Sequence, residues 1–304
     1  MNDVYTVTHR PIPWSPASAD RPLPLGRHVR HDSRSLAYRY QVTGRELSEV
    51  LHTRHIPILD QGDVGSCTGN AMDGALGTDP VFEGLPPGTP PVLTEAEALR
   101  LYSAAEMIDG DGPYPPNDNG SSGLSVAQAA KNAGLISGYT HCLSLGDFTA
   151  ALMDGPVLLG CNWYDSFDSP SSTGEVVISP GAYVRGGHEI VARGLDPLAR
   201  NVFLDNSWGT GWGVGGSFTM GWGTLERLLS EQGDGTVPLP LTVPAPVPVP
   251  VPTPPPPSPG PLPPADWADS ALAAVAEPWI GHRHEGANRR MATALRTWLA
   301  EKGF

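Results

Sequence analysis

Residues 206–213 read Asn206-Ser207-Trp208-Gly209-Thr210-Gly211-Trp212-Gly213, an asparagine followed by a turn of glycine and tryptophan. The carbonyl of an Asn side chain accepts a hydrogen bond from an imidazole and so fixes the ring's tautomer and orientation, with Nδ1–H the expected donor. Trp208, two residues further on, is placed to shield such a bond from water. By itself the string is an ordinary turn. It gains meaning only if the chain supplies an imidazole and a group for that imidazole to serve.

Both are present. Gly186-Gly187-His188-Glu189-Ile190-Val191-Ala192 puts a histidine at the start of an apolar, strand-like run, after two glycines that leave it little covered. Asp60-Gln61-Gly62-Asp63-Val64-Gly65-Ser66-Cys67 puts a cysteine where a glycine-rich turn meets a segment of small residues, 66–76. The thiolate is the nucleophilic form, and the start of a helix favours it through unpaired amides and the macrodipole. Gln61, six residues before the cysteine, is positioned to turn its amide toward the same spot. With the backbone amide of Cys67 it would form an oxyanion hole, where one donor is worth roughly 10²–10³ in rate. His188 would take the thiol proton and later return it to the leaving amine.

Gln61, Cys67, His188 and Asn206, in that order and each in its local context, resemble the papain-like cysteine peptidases over residues 45–220 or so. The separations from Cys67 are 121 residues to His188 and 139 to Asn206. The family's are about 130–150, so the histidine comes early, which a shorter loop between strands explains. The resemblance implies an α+β fold of two lobes, one helical and one antiparallel β, with hydrolysis of peptide bonds through a thioester and no cofactor. It also implies that Asn119-Gly120-Ser121-Ser122-Gly123 borders the substrate backbone, Gly120 and Ser121 making the contact; a plain turn before a helix is the alternative. Trp208 stands beside them as a candidate substrate contact. Glu189, directly after the histidine, would line the main specificity pocket and bias it toward a basic side chain, unless it is a solvated strand residue or pairs with an arginine.

Two positions depart from the plant and lysosomal pattern. Val64 stands where those relatives have a disulfide cysteine, and Thr68 replaces the usual Trp after the nucleophile. The overall pattern is closer to a bacterial, disulfide-poor branch. No long, charged helical propeptide of the plant and lysosomal kind precedes residue 45, although the short arm there is able to cross the cleft.

The organisation along the chain fits. Residues 1–44 form an arm rich in Pro and Arg, and a body follows over 45–236. In it Thr94 with Glu97 forms a capping-box signal for a helix to Ile108, with Ala98, Leu101, Tyr102, Ala105 and Ile108 as its core stripe. Ser125 is the expected cap of a helix ending at Gly134, and a short helix covers 147–153. Strand-like runs follow at 157–161, 176–178, 188–194, 201–204 and 217–220. Residues 237–264 contain 15 prolines, a composition that points to a polyproline spacer rather than a ladder. Two short helices are expected over 265–276 and 286–301, forming a C-terminal module able to hold a protein partner or anchor.

The formal charge of -13 argues against nucleic-acid binding, which needs a basic face. Three cysteines exclude a disulfide scaffold. His141, and His282 with His284, stand apart from other ligand-type residues, so no metal site is expected. Without a secretory signal or an apolar run of membrane-spanning length, the expected place is a cytoplasm or a virion. Two other functions share these features. One is a phage enzyme cutting the peptide crosslinks of a bacterial wall; the other is a papain-like scaffold kept as a structural or interaction module.

Overall fold

The computed structural model describes residues 23–30, 38–41, 44, 46–86, 93–241 and 297. By its contacts the chain divides into two units, Met1–Pro244 and Ala245–Phe304. The helices expected at 265–276 and 286–301, and the proline-rich residues after 241, lie outside the described residues, save Thr297.

Helix α1 (Cys67–Leu76) is buried at every position. Its small residues make that possible: with glycines lowering helix propensity, only close packing holds such a segment helical. Around it pack α2 (Glu95–Asp109) and α3 (Gly123–Asn132), and Met72, Leu76, Leu101, Val126 and Ile136 share one apolar core with them. Of the stripe expected on α2, Ala98, Leu101, Tyr102 and Ala105 are buried and Ile108 is half-buried. The cap signals are corrected in detail. Thr94 makes no side-chain capping bond, so α2 starts with Glu95 and Glu97 facing its positive end. Ser122, not Ser125, caps α3, its hydroxyl accepting from the amide of Ser125.

The second core belongs to a sheet. Its strands are β1 (Val50–Leu51), β2 (Gly138–Cys142), β3 (Val157–Tyr164), β4 (Glu175–Val176), β5 (Val184–Asp196), β6 (Asn201–Asp205), β7 (Ser217–Gly221) and β8 (Asp234–Leu239). The order is β2-β8-β3-β5-β6-β7-β4, with β1 on β5; all pairs are antiparallel except β4 with β7. Helices α4 (Leu145–Leu152) and α5 (Trp222–Ser230) pack on it. The two-residue period of a strand sorts β3 and β5 between the cores. Leu158 and Val191 join the helical core, while Leu159, Ile190 and Ala192 join Trp163, Phe167 and Leu204 in the sheet core. The fold is α+β, with a helical lobe and a β lobe.

The body runs past residue 236. Val237, Pro238 and Leu239 pair with β2, against the expectation that the chain there forms no ladder. At those residues β8 has no partner on its other side among the described residues, where it pairs with β3 only from Asp234 to Thr236. A proline is tolerated at such an edge because its missing N–H costs no ladder bond.

Candidate active site

The two most informative strings are fastened to each other. Gln61 donates its backbone N–H to the carbonyl of Ser207 at 2.9 Å, and Gly209 donates to Leu59 at 3.0 Å. The Ser207 hydroxyl donates to Gln61 Oε1 at 2.6 Å. The Gln61 side-chain amide gives one hydrogen to the Val64 carbonyl at 2.8 Å. A carboxamide nitrogen carries two, so one remains for another acceptor.

Cys67 opens α1, and backbone N–H groups of Glu189, Gly26 and Thr68 are directed at its sulfur. Glu189, the residue after His188 on β5, is among the groups that act on the thiol. His188 is fully buried, and its Nε2 lies 2.8 Å from Asn206 Oδ1. The expected donor, Nδ1, is the wrong nitrogen: it is buried without a hydrogen-bond partner among the described residues. Trp208 stacks on the imidazole, with ring centroids 4.9 Å apart. Trp163 meets that ring edge-on at 4.8 Å. Two aromatic walls therefore keep water from the His188–Asn206 bond.

The segment expected to border a substrate backbone is held from behind. The Tyr102 hydroxyl lies 2.7 Å from Asp118 Oδ1 and 3.0 Å from Glu106 Oε1, and accepts the N–H of Gly120 at 2.9 Å. Asp118 also accepts from Gly65, in the turn before Cys67, at 3.0 Å. Glu106 accepts from the amide of Asn119 at 2.7 Å. These three positioning residues had no signal in the sequence beyond the core stripe that contains Tyr102.

What occupies the groove is the chain's own arm. Ser121 donates to the Gly26 carbonyl at 2.8 Å and accepts from the His28 amide at 2.7 Å. On the opposite side Arg27 donates its N–H to the Gly187 carbonyl at 3.0 Å. Trp208 Nε1 donates to Pro24 and Arg185 to Leu23. The fit is close: a Cβ on Gly26 would lie 1.9 Å from the Gly65 carbonyl oxygen. Gly120 has φ +86°, and a Cβ there would lie 2.3 Å from the Gly26 oxygen. Beside Pro24 and Leu25 a cavity of about 470 Å³ stays open, reaching Asp63, Gly65 and Gly120.

Under the arm Cys67 has 0% of its surface exposed. Burial, followed by the Glu189 carboxylate, pushes the thiol up to about 12 despite the three backbone hydrogen bonds. Burial likewise holds His188 down at about 4, against the Asn206 bond. A helix start was expected to ionise the thiol; in the covered groove desolvation outweighs it. Both groups are neutral as folded.

Glu189 is not a solvated strand residue. It is fully buried, 3.8 Å from Arg27 Nε, and Arg27 Nη2 donates to Asp234 Oδ1 at 3.0 Å. Arg27 and Asp234 were not foreseen, because only the sheet and the arm's path bring them to Glu189. Gly120, Ser121 and Trp208 all touch the arm, and Glu189 meets its arginine. The cysteines are free, and among the described residues no group of His, Cys, Asp and Glu is arranged to hold a metal. No helix of the described residues is long and apolar enough to cross a membrane.

Similarity to solved structures is clear in outline. Xylellain, a cysteine protease from Xylella fastidiosa, is 19% identical over 74% of this chain and 94% of its own, with a TM-score of 0.51. Digestive procathepsin L 3 of Tenebrio molitor is 16% identical over 71% of this chain and 76% of its own, at 0.49. The Carica candamarcensis protease CMS1MS2 covers 62% of this chain at 16% identity and 0.43. No protein-family model and no curated protein sequence matches. The fold is that of the papain-like cysteine proteases.

Proposed function

We propose that this chain is a cysteine peptidase. The observation that carries the reading is the buried pair His188–Asn206, whose Nε2–Oδ1 distance is 2.8 Å and which leaves Nδ1 unspent, with the buried Cys67 thiol influenced by the next residue along, Glu189. With the arm withdrawn, Nδ1 takes the thiol proton and the thiolate attacks the carbonyl carbon of a peptide bond. The backbone amide of Cys67 and the second hydrogen of Gln61 hold the oxyanion. His188 passes the proton to the departing amine, leaving a thioester. Water, activated by the same imidazole, splits the thioester and restores the thiol. The groove edges at Gly120–Ser121 and Gly187, which pair with the arm, would pair with a substrate backbone.

Cys67→Ala, made in a chain whose arm is loosened by Gly26→Ala, tests this. Peptides from a digested proteome are profiled by mass spectrometry with and without Cys67. Products that depend on the sulfur support the reading. Identical profiles from the two chains sink it.

A further inference from the structure

Trp163, which meets the His188 ring edge-on, packs against Trp208 at 5.0 Å and Trp212 at 6.0 Å between ring centroids. Trp208 and Trp212 meet edge to face at 5.5 Å. Trp163 is fully buried and Trp212 nearly so, and a buried indole N–H needs an acceptor. Both find it in one residue. Trp163 Nε1 donates to Asp168 Oδ1 at 2.9 Å, and Trp212 Nε1 donates to the Asp168 backbone carbonyl at 3.0 Å.

Asp168 follows the short turn Asp165–Phe167 after β3, and its amide closes that turn on the Asp165 carbonyl at 3.1 Å. The same Oδ1 accepts from Arg185 Nη1 at 2.6 Å, while Arg185 Nη2 donates to the Leu23 carbonyl at 2.9 Å. One residue thus ties β3, through Trp163, to β5, through Arg185, and to the turn after Asn206, through Trp212. Arg185 stands on the same strand as His188, three residues before it. Burial first, and then the charge of Arg185, disfavour the protonated imidazole, with the Asn206 bond opposing them. A carboxylate bonded to Arg185 offsets part of that charge.

We propose that Asp168 is a positioning residue for His188: it fixes the aromatic walls of the ring through two indole N–H groups and moderates the charge that Arg185 presents to it. The proposal rests on the peptidase reading for what the ring does. Asp168 acts through Trp163, Trp212 and Arg185, not on the reacting atoms themselves.

The test compares full-length Gly26→Ala, which takes the Leu23 bond out of play, with the same chain carrying Asp168→Asn or Arg185→Gln. Asp168→Asn keeps an acceptor for Trp163 and removes the charge. Cys161 opposite His188 on β3, Glu189 next along β5 and Cys67 at the start of α1 stay the same in each. Two curves are read: the limb of kcat/KM against pH that His188 sets, and the titration of the His188 imidazole by NMR, its signal identified by loss in His188→Gln. Asp168→Asn leaves Arg185 unopposed, so both curves should move down by about half a pH unit or more, and Arg185→Gln should move both up. Loosened packing alone relieves burial and moves both variants up, which overturns the proposal. Should Asp168→Asn not fold, Trp163→Phe keeps an aromatic wall without its N–H; kcat should then fall at least about threefold with KM held within about twofold, and an unchanged kcat overturns the role. Cleavage with unmoved or parallel curves overturns the role and leaves the peptidase standing. Opposite shifts by NMR without cleavage uphold the hold of Asp168 on the ring and remove the peptidase. Neither cleavage nor opposite shifts overturns both.

Discussion

His188 and Asn206 are joined through Nε2 and Oδ1 at 2.8 Å, leaving the imidazole's other nitrogen as the free one on a buried ring. The asparagine thereby decides which nitrogen is free for the role proposed for His188. Asn206→Ala leaves Nε2 unpaired and lets the ring change tautomer and turn. General acid–base catalysis contributes roughly 10²–10⁴ in rate, and losing the orienter should forfeit about tenfold or more of kcat/KM. Turnover of a short peptide by Gly26→Ala, with and without Asn206→Ala, measures it. An unchanged kcat/KM would mean that Asn206 holds the fold and not the ring.

Gly26→Ala should lift the arm. Its Cβ would stand 1.9 Å from the Gly65 oxygen, a backbone atom that cannot swing aside. Once water reaches the sulfur, the burial that raised the thiol is relieved, and labelling of Cys67 by iodoacetamide at pH 7 should accelerate about tenfold or more. Cys142, buried in the sheet core and pushed upward by burial, serves as the unlabelled control. Equal labelling rates for the two chains would show that the arm does not seal the groove.

Acid should loosen the folded, covered state through His188. The unfolded imidazole takes its proton near its ordinary 6.5, whereas burial holds the folded one at about 4. Between those values the unfolded chain binds more protons, so stability falls as pH falls from 6.5 toward 4. The shift corresponds to roughly 3 kcal/mol. His188→Gln keeps a partner for Asn206 and removes the proton site. Its denaturation midpoints should therefore fall less across that window than those of the wild type; superimposable profiles would refute the assignment.

Asp73 acts in the opposite direction. It lies inside α1, its oxygens without a hydrogen-bond partner among the described residues, and burial, then Glu97 and Glu95, push it up to about 9. An acid that ionises unfolded near 3.8 and folded near 9 loses stability as pH rises between them. Asp73→Asn has the same shape and no titration, so it should flatten this part of the profile and be the more stable chain at pH 8. A chain weakened at every pH would instead point to a structural bond through the carboxyl group.

The residues proposed to do the chemistry were legible because their requirements are local. A small-residue helix after a glycine turn, a histidine at a strand start and an asparagine before a Gly/Trp turn each need only a few neighbours. The lobes were legible for the same reason, since Ala98, Leu101, Tyr102 and Ala105 keep helical spacing. β8 was not. Asp234-Gly235-Thr236-Val237-Pro238-Leu239 has the glycine and proline of a loop, and only β2 and β3 on its flanks make it a strand. The choice of imidazole nitrogen also escaped, because spacing does not say which face of a ring meets its partner. Arg27 and Asp234 are 207 positions apart and carry no shared pattern. Their meeting depends on backbone bonds from the arm to Ser121 and Gly187, which no periodicity records.

The arm's attachment has a quantitative consequence. A segment tied to the groove it fills is present at a local level of order millimolar, set by the tether and not by the solution. Diluting the protein cannot empty the groove, and a rival peptide must outbid that fixed local level before it reaches the sulfur. For the peptidase proposed above, latency of this kind would be a property of each single molecule.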